Sequence, residues 1–440
     1  MIRPASVLRA FFLAAAVSLA APATGLAVTS PGWTAAQQLS GEGVIGGQGG
    51  VASTESGRTA AIWLEQNGDG DRRLNARVRE ANGVWGATEA ISGWSSNLSN
   101  EPLLQANGDG SFTLLWFADG EYEVETLEPG ETEWSTWNIA DSVPDTYGIG
   151  GAWITPMSDG SSVLAFVRWN QGSERTVTVL RRASGSATWT VTDSHDDQGI
   201  NTYFPMVSAN EAGDLAVSTR YSDNSDQGFR VRRYTHATDS WSVVTEPVAL
   251  GSNVRDPIAT VASDGTIVAT WADGELTMDQ SGQPTGTNSI YAAYLSPGTT
   301  TWSTPEQITP ASGAGVIIPV PTADNSNNVV FTYQLYTDQG GYYLPSPMAR
   351  TFSATTHTWA APDELYPFGG APAPSRNTSG DIGVSFLSSS DGGATLNAGF
   401  TVRDNATGTW TSRGLATDTT INVMYGIPHS QIGEDGSALV

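Results

Sequence analysis

The chain has 440 residues, with 45 acidic side chains against 20 basic ones and a net charge of −25. A surface this anionic repels phosphate backbones and anionic headgroups, which argues against nucleic acid or a membrane surface as partner. There is no cysteine, so neither a disulfide nor a lipidated thiol is available, and 49 Gly and 15 Trp among few helix-forming runs mark an all-β chain.

The chain opens with Arg3 and Arg9, a short apolar run from Ala10 to Ala20, and small residues at Ala21-Pro22-Ala23 or Gly25-Leu26-Ala27. That order is a signal peptide over residues 1–27. The run is too short to span a bilayer and no second long apolar segment follows it. The mature chain is therefore expected to be exported, on the extracellular or envelope side, and not to insert in a membrane.

Residues 28–440 are expected to form one domain built on a repeat. Tryptophan recurs at Trp33, Trp85, Trp134, Trp189, Trp241, Trp302, Trp359 and Trp410, roughly fifty residues apart. Tight turns keep step with it at Ser56-Gly57, Asp109-Gly110, Asp159-Gly160, Gly213-Asp214, Asp264-Gly265, Asn327-Asn328, Gly380-Asp381 and Asp435-Gly436. These residue types tolerate the positive φ of a two-residue hairpin. Six residues beyond the turn comes an aromatic: Trp63, Trp116, Phe166, Trp271, Tyr333 and Phe386, with Thr219 and then Tyr221 in the fourth repeat. Before the turn stands Pro102, Pro205, Pro257, Pro319, Pro374 or Pro428, a residue that suits the start of a strand because it lacks an N–H.

The fifth repeat shows the unit. Pro257 to Ala262 alternates as strand A, Thr266 to Trp271 as strand B, Ser289 to Leu295 as strand C, and Trp302 to Ile308 as strand D. Four-stranded antiparallel units repeated in this way are the blades of a β-propeller. Seven complete repeats fall at about 41–92, 93–141, 142–196, 197–248, 249–309, 310–366 and 367–417. Residues 28–40 supply only a strand D, and residues 418–440 a strand A with the start of a strand B. They are expected to form a partial eighth blade shared by the termini, which hides the open edges.

On these residues the repeat resembles bacterial secreted propellers of the sialidase-like, neuraminidase-repeat group and Trp-rich lectin propellers. Ser389, Asp391, Gly393 and Thr395 match the sialidase Asp-box S-x-D-x-G-x-T-W, with Leu396 where the Trp belongs. The matching residues are structural, so the resemblance implies a fold and does not carry an activity with it. A sialidase would also need an arginine cluster around a substrate carboxylate; Arg255 is so placed, and Arg220 ends its strand B.

Long loops on a rigid scaffold carry binding groups. Here these are the B–C and D–A loops, so the working face is their end of the central channel. The residues before the strand-A proline ring its mouth: Asn100-Glu101, Tyr203-Phe204, Arg255-Asp256, Ile317-Ile318, Pro372-Ala373 and Gly426-Ile427. Three blades present polar groups there, which is how a site grafted on a symmetric ring would look. Glu101, Asp256 and His195 are the candidate catalytic groups. Aromatics outside the repeat, with these polar neighbours, make the candidate ligand set: Trp94, Glu101, Tyr147, Tyr203, Arg255, Asp256, Tyr342 and Tyr343.

The segment from Ser194 to Phe204 reads as a polar D–A loop whose His195, Asp196 and Asp197 suit metal or acid–base chemistry. Asp223 and Asp226 in the stretch from Ser222 to Gly228, and the Asn67 to Asp71 turn, raise calcium as a cofactor. Tight hairpins use the same residues, and neither stretch completes a helix–loop–helix calcium pattern. His236 and His357 fall in C–D turns on the opposite face. The expected function is a secreted, monomeric, non-catalytic propeller binding a glycan or another extracellular ligand at the channel face. The alternatives are a glycoside hydrolase or polysaccharide lyase using mouth carboxylates, and a scaffold that docks or adheres to an extracellular protein.

Overall fold

In the computed structural model the described residues are 39, 45–98, 102–139, 148–169, 175–196, 201–223, 226–252, 254–279, 284–309, 315–338, 343–389, 397–411, 414–415, 430–432 and 438–439. The expected leader, Trp33, Glu101, Tyr147, Asp197, Tyr342 and Pro428 lie outside them, as do residues 390–396 of the Asp-box-like stretch. Seven antiparallel sheets follow one another at 45–90, 103–138, 148–196, 201–252, 254–307, 315–364 and 369–415, each with its strands in the order A–B–C–D. Strand A of one blade packs on strand A of the next, so these strands line the hub of a seven-bladed propeller. The helical structure among the described residues includes a 3₁₀ turn, His236–Thr238, and no helix there is long and apolar enough to cross a membrane.

Turn chemistry sets the blades. In blade 5, strand A (Val254–Val261) reverses into strand B (Ile267–Met278) through Asp264-Gly265. Gly265 takes φ 85°, and Asp264 Oδ1 accepts the Thr266 N–H at 2.8 Å. The same Asx closure recurs at Asp109 and Ser111 and at Asp159 and Ser161.

Apolar residues buried on both faces of strands B and C place the core between blades rather than within one sheet. Each described repeat tryptophan after the first packs against the cluster its blade shares with the preceding one. Trp134, Trp189, Trp241, Trp302, Trp359 and Trp410 do so in turn. Trp189 stacks on Trp137 of blade 2 at 5.4 Å, and Trp410 Nε1 donates to Asp363 of blade 6 at 3.1 Å. The strand-B aromatics Trp116, Phe166, Trp271, Tyr333 and Phe386 belong to the same clusters. Burying a phenylalanine this fully contributes about 3 kcal/mol.

Strand D differs from the expected continuous run. In blade 5 only Glu306–Gln307 pairs with strand C, because Pro305 has no N–H for the ladder. In blade 6 the outer strand is split into Thr358–Trp359 and Asp363–Glu364 around Ala360, Ala361 and Pro362. The C–D connections are correspondingly longer than expected. At the seam, a hairpin of Gln431–Ile432 and Ala438–Leu439 touches strand A of both blade 7 and blade 1. Gln431 Nε2 donates to the Arg376 carbonyl at 3.1 Å. This is the strand A and beginning of strand B expected from the last residues.

Candidate functional site

The hub has two unlike ends. At the A–B turn end, Arg376 of blade 7 meets Glu211 of blade 4 at 2.8 Å, an ion pair thrown across the ring. Arg376 also binds Asn325 of blade 6, and Ser158 of blade 3 donates to the Glu211 carbonyl at 2.8 Å. Four blades are thereby tied across one end of the tunnel, leaving the B–C and D–A end as its mouth.

A bulge in strand A shapes that mouth. Pairing with strand B slips between Tyr203 and Met206, between Arg255 and Ile258, between Ile317 and Val320, and between Gly370 and Ala373. The residue before the bulge proline takes a left-handed conformation, φ 49° at Phe204, 46° at Asp256 and 50° at Ala371. A non-glycine residue there is strained, and one before proline doubly constrained. Such strain persists only where the surrounding fold imposes it. The blade 7 counterpart of Pro205 and Pro257 is therefore Pro372. Pro374, the marker read from the sequence, is two residues out of step, so that blade presents Gly370-Ala371 to the mouth and not Pro372-Ala373. The left-handed turn pushes its side chain outward: Phe204 is 52% exposed and Asp256 is exposed, whereas Tyr203 and Arg255 are half-buried.

One sector of the ring is chemically loaded. Arg175, the first residue of blade 3 strand C (Arg175–Arg182), donates to the Thr202 carbonyl at 2.9 Å. Its guanidinium covers the Tyr203 ring at 4.2 Å and lies 5.3 Å from Trp169. Arg220 sits opposite Tyr203 in the strand register, with its guanidinium 4.9 Å from the Phe204 ring and 6.0 Å from Tyr203. Burial lowers the Arg220 pKa, against the pull of Asp256. Asp256 is open to water yet hemmed by protein, and this desolvation raises its carboxyl pKa while Arg220 and Arg255 oppose the rise. Stacked rings, fixed guanidiniums and one carboxyl can hold a flat polar guest by its faces and its oxygens.

The other sequence candidates lie apart from this cluster. Trp94, 42% exposed, rests on Arg73 of blade 1 at 4.6 Å, and Arg73 is itself paired with Glu65 at 2.6 Å. Strand pairing contradicts the loop reading of half-buried His195: residues 194–196 end strand D of blade 3 (Trp189–Asp196) and residues 201–204 begin strand A of blade 4 (Asn201–Ala209). His195 Nδ1 lies 3.1 Å from Asp193, and Asp193 receives Arg232 at 2.5 Å, so the histidine belongs to an inter-blade ion cluster. Tyr343 begins strand C of blade 6. Asp223 and Asp226 pair through their backbones at the end of a hairpin, and Asp196 ends its strand; the side chains of these three are outside the described residues. The Asn67 to Asp71 stretch closes as a turn, with Asn67 Oδ1 accepting the N–H groups of Asp69 and Asp71 at 3.0 and 2.9 Å. Among the described residues no three His, Asp or Glu side chains converge as a metal site.

Sequence reasoning placed Phe204 at the mouth without singling it out, and it missed Arg175 and Trp169 altogether. The signal for Phe204 is its place directly before the bulge proline. The last two have none, since they meet the site across a blade boundary.

No family model matches the chain, and no curated protein matches it. Among solved structures it is similar to the BP39L lectin of Burkholderia pseudomallei, with 14% identity, a TM-score of 0.51, and coverage of 85% of this chain and 100% of that one. It is also similar to an ulvan lyase of polysaccharide lyase family PL25, at 10% identity and TM-score 0.49 over 81% of this chain and 95% of that one. A third is the β-propeller domain of the Trilobed protease from Pyrococcus furiosus, at 11% identity and TM-score 0.47 over 86% and 99%. At such identities the likeness to the lectin shows the propeller fold.

Proposed function

We propose that the chain is an exported propeller that binds a carbohydrate at the channel mouth, over blades 3 to 5, without turning it over. The observation that carries this reading is the uneven ring. One backbone bulge recurs around the hub, and where blade 7 fills it with Gly370-Ala371, blades 4 and 5 fill it with Tyr203-Phe204 and Arg255-Asp256. Exposed rings stack on the apolar faces of sugars, while guanidinium and carboxyl groups take the hydroxyls. That a lectin shares the fold makes a sugar guest compatible with the scaffold.

A second reading, hydrolysis or elimination, has one observation in its favour: Asp256 carries the raised pKa expected of a general acid or base. Glycan-array binding combined with a product-release assay, on wild type and on Phe204→Ala, separates the two. Binding lost in the variant with no product from either protein supports the proposal. Release of sugar by the wild type would replace it with the enzymatic reading.

A further inference from the structure

Arg220 stands alone at its strand position. Seven residues beyond the A–B turn, the other blades carry Leu64, Phe117, Val167, Ala272, Gln334 and Leu387. In a chain of net charge −25, such a cation would be expected to find a carboxylate. Among the described residues, however, its guanidinium makes neither an ion pair nor a hydrogen bond. Its contacts are the Phe204 and Tyr203 rings, and its electrostatic partner is Asp256. The Asp256 backbone is fixed at φ 46° before Pro257, so that carboxylate is held by the chain and not drawn in by Arg220. A half-buried guanidinium keeps five planar N–H donors, the arrangement that grips an oxyanion through two parallel bonds.

We infer that the mouth takes a sugar bearing an oxyanion, a uronate carboxylate or a sulfate ester, and that this anion displaces Asp256 as the counter-ion of Arg220. The inference rests on the carbohydrate reading above. Guest and Asp256 then compete for one cation. Ionised Asp256 weakens the field that draws the anion in, and neutral Asp256 leaves it whole. Among the described residues, the charged and titratable groups facing Asp256 are Arg220 and, behind it, Tyr203 from blade 4, with Arg255 on its own strand. Acidic sugars accordingly bind more tightly as the pH falls through the range where Asp256 takes up its proton.

The test is calorimetric titration of the full chain with three oligosaccharides of equal length: an oligogalacturonate, a sulfated galactan and a neutral galactan. The wild type should bind at least one acidic probe about tenfold or more tighter than the neutral one, the worth of one charge-assisted contact. Which acidic probe wins identifies the oxyanion. Arg220→Gln should erase the preference and Arg220→Lys should restore part of it, with melting curves confirming that both variants are folded. Asp256→Asn should tighten acidic binding several-fold and remove its pH dependence. A mere hydrogen-bonding role for Asp256 would instead weaken binding. Equal affinity for neutral and acidic probes, or weaker acidic binding by Asp256→Asn, overturns this inference alone. Absence of binding to all three overturns it together with the carbohydrate reading.

Discussion

The two faces of the propeller use the same residue type in opposite ways. On the A–B turn face the terminal nitrogens of the arginines have protein acceptors, although Nε of Arg182 and of Arg233 is buried without one. Arg182, 1% exposed, reaches Glu128 at 2.8 Å, the Ser186 carbonyl at 3.0 Å and Ser111 at 3.2 Å. Arg233 donates to the carbonyls of Leu295 and Ser296 in the next blade. Arg403 meets the fully buried Asp324 at 2.8 Å. At the mouth, Arg175 and Arg220 face aromatic rings, and Arg220 has no acceptor among the described residues. What separates a staple from a binding group is whether its guanidinium already has a protein acceptor for its terminal nitrogens.

The largest expected effect lies on the A–B turn face. Arg403→Ala strips the counter-ion from Asp324 and should lower stability by about 3–5 kcal/mol, read as a drop in denaturant midpoint. An unchanged midpoint would mean that the inter-blade staples are ornamental.

Next comes a buried acid that belongs to neither end. Glu125 of blade 2 is 2% exposed, and burial, with Glu123 and Glu89 near it, pushes its pKa up to about 7. Its folded value lies above its ordinary one, so the group favours folding at acidic pH and loses that contribution as the pH rises through about 7. Glu125→Gln should raise stability at pH 8 by up to about 3 kcal/mol and leave it nearly unchanged at pH 5. Equal shifts at both pH values would place the ionisation elsewhere.

Breaking the cross-ring pair with Arg376→Ala should cost about 1 kcal/mol, since Glu211 is half open to solvent. Sugar affinity at the far mouth should not change, and a change there would show that the ends are coupled. The smallest effect on stability is expected at the mouth. Phe204→Gly removes an exposed ring and relieves a positive φ, so the melting temperature should hold or rise slightly while sugar binding falls. A clear loss of stability would make Phe204 a packing residue.

Legibility in the sequence followed the same division. The fold could be read because each blade repeats its turn, its tryptophan and its strand-B aromatic, and because these residues meet neighbours one period away. The terminal hairpin was visible for the same reason. Strand D was misread because alternation persists through Pro305 and Pro362 although the ladder does not. The site was legible only where the repeat marks it, at Tyr203 and Asp256. Arg175, which covers Trp169 of its own blade, meets Tyr203 across a blade boundary that no spacing encodes. His195 looked available because its strand ends in polar residues, while its partner Asp193 is held by Arg232 of the next blade.

If the guest sits on blades 3 to 5, a crystal soaked with an oligosaccharide that the protein binds should show sugar density against Phe204 and Tyr203 with an oxygen at Arg220. Density over Trp94, between blades 1 and 2, with an empty mouth would overturn that placement.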